Sequence, residues 1–424
     1  MDEIVAGAIL ESLTSKALDI AWSRLRKKMD IGAALLNQDG TFSFIKGEFK
    51  RWLGIPQAAL LQERKKQLQR LFTFYAAEPN KLVLGDAVRV AYAHQQYYIP
   101  TLEGSVEPQS LVAHKGEDYK VDEALGIPGY KQAAMRFRKE TRPKKTEPFD
   151  GSAVRILDWD GVMTFTISEA TYFDQYVTNQ KEIVDVCLED IVGDNTISVK
   201  PQWFERTLRE INASNARLLP FSQSLLANTI GVAATVVTRD GYLVLPRRNQ
   251  SVHFQSGYEG CSVSGVLEWS PHLLRDFMGT LKYHVAKKEG PEEILLDPSK
   301  ITICPLGFAR EFERAGKPQF FFHIWTEQRL REFVEKWKQS IYPRQEFDSV
   351  RWIQLYEREA LRQPEGAIQQ AVERILALLN ANGYIVLKDG YQVVLSEEMR
   401  ANLFYLALFL QSQQVRAFPS MWVE

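Results

Sequence analysis

The sequence predicts an α+β protein with a helical N-terminal region, a mixed β-sheet covered by helices, and a C-terminal helix–hairpin–helix extension. Three observations predict this class. Apolar residues recur at helical spacing through much of the first hundred residues. Residues 230–268 and 301–355 instead contain apolar runs of strand length separated by turn residues. A helical pattern, a short hairpin pattern and a second apolar helical pattern follow the last of these strands.

Length and composition exclude several classes of protein. A chain of 424 residues with 45% hydrophobic and 25% charged residues is typical of a globular protein with two or three domains. The formal net charge of -1 does not indicate nucleic-acid binding. Cys187, Cys261 and Cys304 are far apart, which argues against a disulfide framework or a cysteine zinc site. We therefore expect a cytoplasmic protein.

The N-terminal region, residues 1–148, is predicted to be a mainly helical domain that ends in a basic linker. The first thirty residues have apolar side chains four apart, as on one face of a helix. Charged residues interrupt this segment, so we expect neither a signal peptide nor a transmembrane span. A packed or partner-binding helix is favoured over a membrane-surface helix. The helical pattern continues over residues 47–98, and the basic run 136–145 is interpreted as a solvated linker.

Three further segments are predicted after residue 148. Residues 149–227 contain a hairpin around Trp159-Asp160-Gly161 and a helix over 201–218. Residues 228–365 contain the strands of the main sheet. Residues 366–424 form the extension, whose final helix begins after Ser396, a favourable N-cap.

The strand pattern of residues 228–365 resembles the Nudix superfamily. IGVAATVVTRDGYLVLPRR reads as a strand, an Asp-Gly turn and a second strand that ends in Arg247 and Arg248. ITICPLGFARE and GKPQFFFHIWTE read as a strand pair, and VRWIQL as the Trp-containing strand that closes that fold. The resemblance implies a mixed sheet between helices and a glutamate-rich catalytic helix.

The catalytic helix is where the chain departs from the family. The family pattern is a glycine, a glutamate six positions later, and REUxEExGU after seven more residues, where U is aliphatic. Aligned from its front, the pattern matches Gly265 and Glu268 but places proline at the required glutamate. Aligned on Gly290, it places Lys287 and Lys288 at the metal-binding glutamates. A helix extended by four residues reconciles both alignments, and the box is interpreted as degenerate.

The resemblance implies two sets of site residues. Lysines in place of glutamates repel Mg²⁺ but can pair with phosphate. The candidate ligand-binding residues are Arg247, Arg248, Lys287, Lys288 and Arg310. If the protein is active, the candidate catalytic residues are Glu268 and Asp276, with Mg²⁺ held by Glu289, Glu292 and Glu293. The histidines lack metal-binding spacing and are interpreted as structural.

Three functions stay open at this point. The favoured one is a regulatory protein that binds a nucleotide-type or other phosphate-containing ligand, or a protein partner, without hydrolysis. The second is a divergent Nudix-type hydrolase of a nucleoside diphosphate linked to another moiety, for which Glu268→Gln should abolish activity. The third is a structural protein that associates with a protein partner or with itself through its N- and C-terminal helices. Nucleic acid is not indicated as a partner.

Overall fold

The structure is a computed structural model. It describes residues 55–84, 88–99, 102, 105–141, 150–193, 199–249, 257–339, 347–357, 364–380, 384–386 and 392–412. The predicted helix of residues 1–30 and the end of the predicted basic linker, 142–145, lie outside these residues. Helices and a mixed sheet are both present, which confirms the α+β class.

Within the described ranges, five helices have ten or more residues and the others are shorter. They are α1 (Ile55–Phe74), α2 (Val121–Leu125), α3 (Tyr130–Thr141), α4 (Tyr172–Thr178), α5 (Lys181–Val184), α6 (Leu188–Val192), α7 (Leu208–Ile211), α8 (Phe277–Tyr283), a π-helical segment (His284–Glu289), α9 (Gly290–Ile294), α10 (Leu330–Gln339), α11 (Pro364–Asn380) and α12 (Glu397–Ser412).

The strands include several hairpins and alternate along the chain with these helices. They are β1 (Lys81–Leu84), β2 (Val88–Tyr97), β3 (Val112–Lys115), β4 (Ser152–Trp159), β5 (Thr164–Thr171), β6 (Ala213–Ser214), β7 (Arg217–Leu218), β8 (Gly231–Thr238), β9 (Tyr242–Arg248), β10 (Val263–Val266), β11 (Ile301–Glu311), β12 (Lys317–Thr326), β13 (Phe347–Gln354), β14 (Tyr384–Val386) and β15 (Gln392–Val394).

Eight of the described strands form one mixed sheet. Its order is β1-β2-β11-β12-β8-β9-β13, and β10 also pairs with β8. The β12–β8 pair is parallel, whereas the other pairs are antiparallel. The strand pair β11–β12, the hairpin β8–β9 and the closing strand β13 confirm the strands predicted for this part of the chain.

Strands β1 and β2 extend this sheet from the N-terminal part of the chain. The prediction of continuous helix over 47–98 is therefore wrong for residues 81–84 and 88–97, which pair with each other, and residues 92–97 also pair with β11. The sequence VRVAYAHQQY contains β-branched and aromatic residues that pack well on a pleated surface. This pairing places segments from two of the predicted domains in one sheet.

Apolar cores lie on both faces of the large sheet. On one face, α11 and α12 pack against side chains such as Leu243 and Phe321. On the other face, the small sheet β3-β5-β4 and the helix after β10 pack against β8, β11 and β12. The rings of Phe308 and Phe320 stack there with centroids 4.5 Å apart. Burial of each such ring contributes roughly 2–3 kcal/mol.

The segment between the two N-terminal strands and β8 is only partly as predicted. The hairpin β4–β5 turns at Asp160, whose carboxylate accepts hydrogen bonds from the next backbone N–H groups. The helix predicted over 201–218 is wrong. α7 is only one turn long, and the backbone then reverses into β6–β7 because Asn215 and Ala216 adopt positive φ angles of 49° and 57°.

The C-terminal part contains the predicted helix, hairpin and second helix. Ser396 caps α12 because its Oγ accepts a hydrogen bond from the Met399 backbone N–H at 3.1 Å. The side chains of α12 are almost all buried in the chain's own core. Across the described part of the chain, none of the helices has the length and apolar content needed to cross a membrane.

Candidate functional site

One nearly continuous helix carries half of the predicted site residues. It comprises α8, the π-helical segment and α9, and it is called the site helix below (residues 277–294). Asp276 begins it as the N-cap and accepts a hydrogen bond from the Gly279 backbone N–H at 2.8 Å. Phe277, Leu281 and Val285 fix the helix to the sheet by burying one of its faces.

The π-helical segment determines which polar side chains share a face of the site helix. A π-helix bonds residues five apart, so that side chains at i and i+5 lie nearly above one another. His284 and Glu289 have this spacing, and their Nε2 and Oε1 atoms are 2.9 Å apart. π-Helical insertions occur frequently at functional sites.

The site helix ends at a residue with an unusual backbone conformation. Leu295 has a φ of 58°, which lies in the left-handed region, and the Leu296 N–H bonds the Gly290 carbonyl at 3.2 Å. Glycine is the usual residue at this position of a helix C-terminus because other residues are strained there by about 1 kcal/mol.

Strand β10 contacts two carboxylates of the site helix. A Cβ atom at Gly265 would lie 2.3 Å from Oε1 of Glu289, so the glycine is what allows this carboxylate to approach the strand. The Ser264 backbone N–H donates to Oε2 of Glu293 at 2.6 Å. Glu289 and Glu293 therefore converge on adjacent residues of one short strand.

A third carboxylate reaches the same strand from α12. The Ser264 hydroxyl lies 3.0 Å from Oε2 of Glu398, whose other oxygen accepts a hydrogen bond from the Gln319 side chain at 2.9 Å. Lys317 in turn donates to Gln319 Oε1 at 3.3 Å. A buried polar network thus runs from β12 through α12 and β10 to the site helix.

Burial shifts the protonation of charged groups at the β12 end of this network. Burial lowers the pKa of the Lys317 ammonium and raises the pKa of the Glu311 carboxyl. Arg314 Nε lies 2.6 Å from Glu311 Oε2, and its positive charge partly offsets the effect of burial on the pKa of the Glu311 carboxyl. Removing these groups from water favours their neutral forms.

The other predicted residues of the site helix lie on its outer side. Lys288 pairs with Glu268, and the two side chains are 33% and 52% exposed. Lys287 and Glu292 are exposed. Asp276 serves as the helix cap described above. Each of these residues therefore has its own contact or faces solvent, and they do not converge on one site.

The predicted arginines lie on the sheet. Arg247 and Arg248 are partly exposed at the end of β9, and a Cβ atom at Gly260 would lie 3.5 Å from the Arg248 side chain. Arg310 is buried. It donates to the backbone carbonyls of Leu219 and Gly316, and its guanidinium lies 4.2 Å from the Phe221 ring centroid.

Sequence reasoning missed Ser264, His284, Lys317, Gln319 and Glu398. The only signal available for His284 was its distance of five residues from Glu289, and this spacing carries no meaning in an ordinary α-helix. Among the residues that the structure describes, no three His, Cys, Asp or Glu side chains are grouped closely enough to hold a metal ion.

Comparisons with known proteins leave the family open. No protein-family model matches the chain, and no curated protein matches it. Among solved structures, one match is DR0079 from Deinococcus radiodurans, with 15% sequence identity over 35% of this chain and 72% of that one. The TM-score of this match is 0.22, which establishes neither a common fold nor a shared activity.

Proposed function

We propose that residues 228–365 form a Nudix-like domain that hydrolyses a nucleoside diphosphate linked to another moiety. The observation that carries this proposal is the register of the site helix. Residues 288–296, KEGPEEILL, align with REUxEExGU so that Glu289, Glu292 and Glu293 fall at the three glutamates. Lys288, Gly290 and Leu295 replace the arginine, the first aliphatic residue and the glycine of the motif. This register replaces the alignments that put Lys287 and Lys288 at the metal-binding positions.

Two features of the backbone support the register. Leu295 falls at the glycine of the motif, and it has the left-handed backbone conformation that glycine favours. Gly265 matches the first glycine of the pattern, and Glu289 contacts it. The intervening segment is longer than in the pattern, and the required glutamate after Gly265 is absent.

The donor set fits a divalent cation in its chemistry. Glu289, Glu292 and Glu293 offer only carboxylate oxygens, which are the ligands that Mg²⁺ prefers. A bound cation would polarise phosphoryl oxygens and activate water. Among the described residues, no three such side chains are grouped around one point, and Glu289 Oε1 lies 2.9 Å from His284 Nε2, so these carboxylates do not form a metal site in their present positions. Lys288 and the arginines at the end of β9 would contact phosphate oxygens by charge.

The test measures hydrolysis of nucleoside diphosphate sugars and dinucleoside polyphosphates in the presence of Mg²⁺ or Mn²⁺, with ³¹P NMR as the readout. Glu293→Gln should lower turnover by at least about a hundredfold because it removes a metal ligand. Glu365→Gln, at an exposed position in α11, is the control and should leave turnover unchanged. Absence of metal-dependent turnover in the wild-type protein would refute hydrolysis.

Metal-free binding of a phosphate-containing ligand in a regulatory role is the second candidate. It is favoured by the ion pair of Lys288 with Glu268 and the contact of Glu289 with His284, since both engage carboxylates that a metal would need. Thermal-shift measurements with nucleotides, nucleotide sugars and dinucleotides, with and without Mg²⁺, test it. Stabilisation without Mg²⁺ and without turnover would support it, and metal-dependent turnover would exclude it.

A further inference from the structure

Two buried arginines share one carboxylate where α1 meets the start of α12. Arg64 is 3% exposed and Arg400 is 0% exposed, and both form ion pairs with the buried Glu397. The three residues lie on the side of the large sheet that α11 and α12 cover, whereas the site helix packs on the other side. A buried cation is costly unless a negative charge and hydrogen bonds compensate it.

The Glu397 carboxylate already accepts as many hydrogen bonds as its two oxygens can hold. Its Oε1 accepts from Arg64 and, at 2.8 Å, from Arg400 Nη1. Its Oε2 accepts from the same Arg400 nitrogen at 3.1 Å and from the Ala91 backbone N–H at 3.0 Å. An ionised carboxylate offers about four acceptor positions, so Glu397 has none left for the remaining donors of the two arginines.

The neighbouring buried carboxylates bond other groups. Glu398 lies 3.0 Å from the Ser264 hydroxyl, and Glu259 accepts a hydrogen bond from the Val394 backbone N–H at 2.8 Å. Within the residues that the structure describes, neither arginine forms an ion pair with a carboxylate other than Glu397. Two guanidinium cations therefore share a single negative charge, and one positive charge stays uncompensated.

Arg400 presents two parallel donors that the protein itself does not use. Its Nε and Nη2 atoms are buried and have no hydrogen-bond partner in the described part of the chain. These nitrogens lie on one edge of the planar guanidinium, and this edge matches the two oxygens of one carboxylate or phosphate group. Nε of Arg64, which bonds the same Glu397 oxygen through Nη2, is a third buried donor without a partner.

A second buried arginine shows how the chain can satisfy this edge by itself. Arg155 is 5% exposed, and its Nε and Nη2 donate to the backbone carbonyls of Leu226 and Ser224 at 3.2 Å and 2.9 Å. No described carbonyl group takes this position at Arg400. The free edge is thus a specific property of Arg400 and not of buried arginines in this fold.

We propose that Arg400 and Arg64 bind the carboxylate group of a small ligand, with Arg400 holding both oxygens through Nε and Nη2. A carboxylate carries the single negative charge that the two arginines and Glu397 lack, and its planar group matches the guanidinium edge. Phosphate is bulkier and carries up to two negative charges, so it matches this buried charge balance less well. The proposal does not depend on the proposed hydrolysis, because these residues are separate from the carboxylates of the site helix.

The experiment measures thermal unfolding of the full chain in sodium formate and in sodium chloride of equal ionic strength. Formate should raise the melting temperature of the wild-type protein in a saturable manner, by roughly 2–5 °C. Arg400→Lys should abolish this rise, because lysine keeps the charge but lacks the parallel donors. Arg155→Lys is the matched control. It should lower the melting temperature but retain the rise with formate.

Equilibrium dialysis with ¹⁴C-labelled formate is an independent readout, which applies even if Arg400→Lys does not fold. One formate should bind per wild-type chain, and Arg64→Gln should weaken the binding about tenfold because a charged donor is lost. Absence of both bound formate and stabilisation by formate in the wild-type protein would overturn the proposal. Equal stabilisation by formate in wild type and Arg400→Lys would overturn the role of Arg400. Stabilisation by phosphate or chloride that equals that by formate would overturn the assignment to a carboxylate.

Discussion

Single atoms decide whether the carboxylates of the site helix can approach β10. Glu289 reaches the strand only because Gly265 has no side chain. Glu293 is held by the backbone N–H of Ser264, a donor that every substitution at this position except proline retains. The contact of Glu289 with Gly265 can be disrupted by adding a single methyl group at residue 265, so it is the easier of the two contacts to test.

Gly265→Ala should displace the Glu289 carboxylate, because the new Cβ would overlap Oε1 and Cδ of that side chain. We expect turnover to fall roughly tenfold to a hundredfold, since small displacements of reacting groups have effects of this size. The stability of the fold should change little because a flexible side chain is what moves. Steady-state kinetics and thermal unfolding measure the two effects.

Gly260→Ala is the matched control for this substitution. Its Cβ would meet the Arg248 side chain at 3.5 Å, which is ordinary van der Waals contact. Turnover should therefore stay close to the wild-type value. Equal losses in both variants would show that the contact between Gly265 and Glu289 has no special role.

At the scale of elements, the parallel pair of β8 and β12 contains a buried histidine. His323 lies opposite Thr235 in the register, and its Nδ1 is 2.8 Å from the threonine Oγ1. Burial lowers the pKa of His323 to about 3 from an ordinary value of 6.5. The imidazole therefore stays neutral in the folded sheet at pH values where the unfolded chain binds a proton.

This difference predicts acid sensitivity of the sheet. The unfolded chain takes up the proton as the pH falls below 6.5, and the folded chain does so only near pH 3, so stability should decrease across this window. The slope for one imidazole is about 1.4 kcal/mol per pH unit. His323→Leu should reduce the slope by up to that amount. Urea unfolding at several pH values measures it, and an unchanged slope would contradict the prediction.

At the scale of the whole molecule, a buried ion network joins α1 to α12. Arg64 pairs with Glu397 and also donates to the Leu395 carbonyl, while Arg400 Nη1 lies 2.8 Å from Glu397 Oε1. Burial opposes ionisation of Glu397, but Arg400 and Arg64 together hold its pKa at about 2. The network connects residues more than three hundred positions apart.

Arg64→Ala should destabilise the protein by about 1–3 kcal/mol, because it removes the Arg64 donor from the buried Leu395 carbonyl and one of the two guanidinium partners from Glu397. Arg70→Ala is the control on the same helix. Arg70 pairs with Asp185, but its side chain is 57% exposed, so its loss should cost less than about 1 kcal/mol. Chemical denaturation gives both values, and similar losses would show that the buried pair contributes no more than a surface pair.

The sequence was sufficient for the parts of the fold that depend on local pattern. The apolar runs and turns of β8–β9 and β11–β12, and the capped helix α12, are local signals. Residues 81–84 and 88–97 form strands because they pair with each other and with β11, and residues 201–218 contain a reversal at positive φ angles; neither feature is determined by the local pattern that predicts helix.

The site could be predicted only in part, for a physical reason. The spacing of Glu289, Glu292 and Glu293 is present in the sequence, but two glycines offer competing anchors for the motif, and the left-handed conformation of Leu295 on which the proposed register depends is a property of the folded backbone. The approach of Glu398 to Ser264 is a tertiary contact between residues 134 positions apart, and no spacing rule contains it.

The burial of α12 has a consequence for how the protein is made. Residues 397–410 cover one face of the sheet, and nearly every other described strand and helix precedes them in the chain. During synthesis, the ribosome releases the strands β8 to β13 well before this helix. Until residue 410 or so has emerged, the apolar side chains beneath it face water or a chaperone. The sheet of a nascent chain that has not yet reached residue 410 therefore has an uncovered apolar face, which favours aggregation.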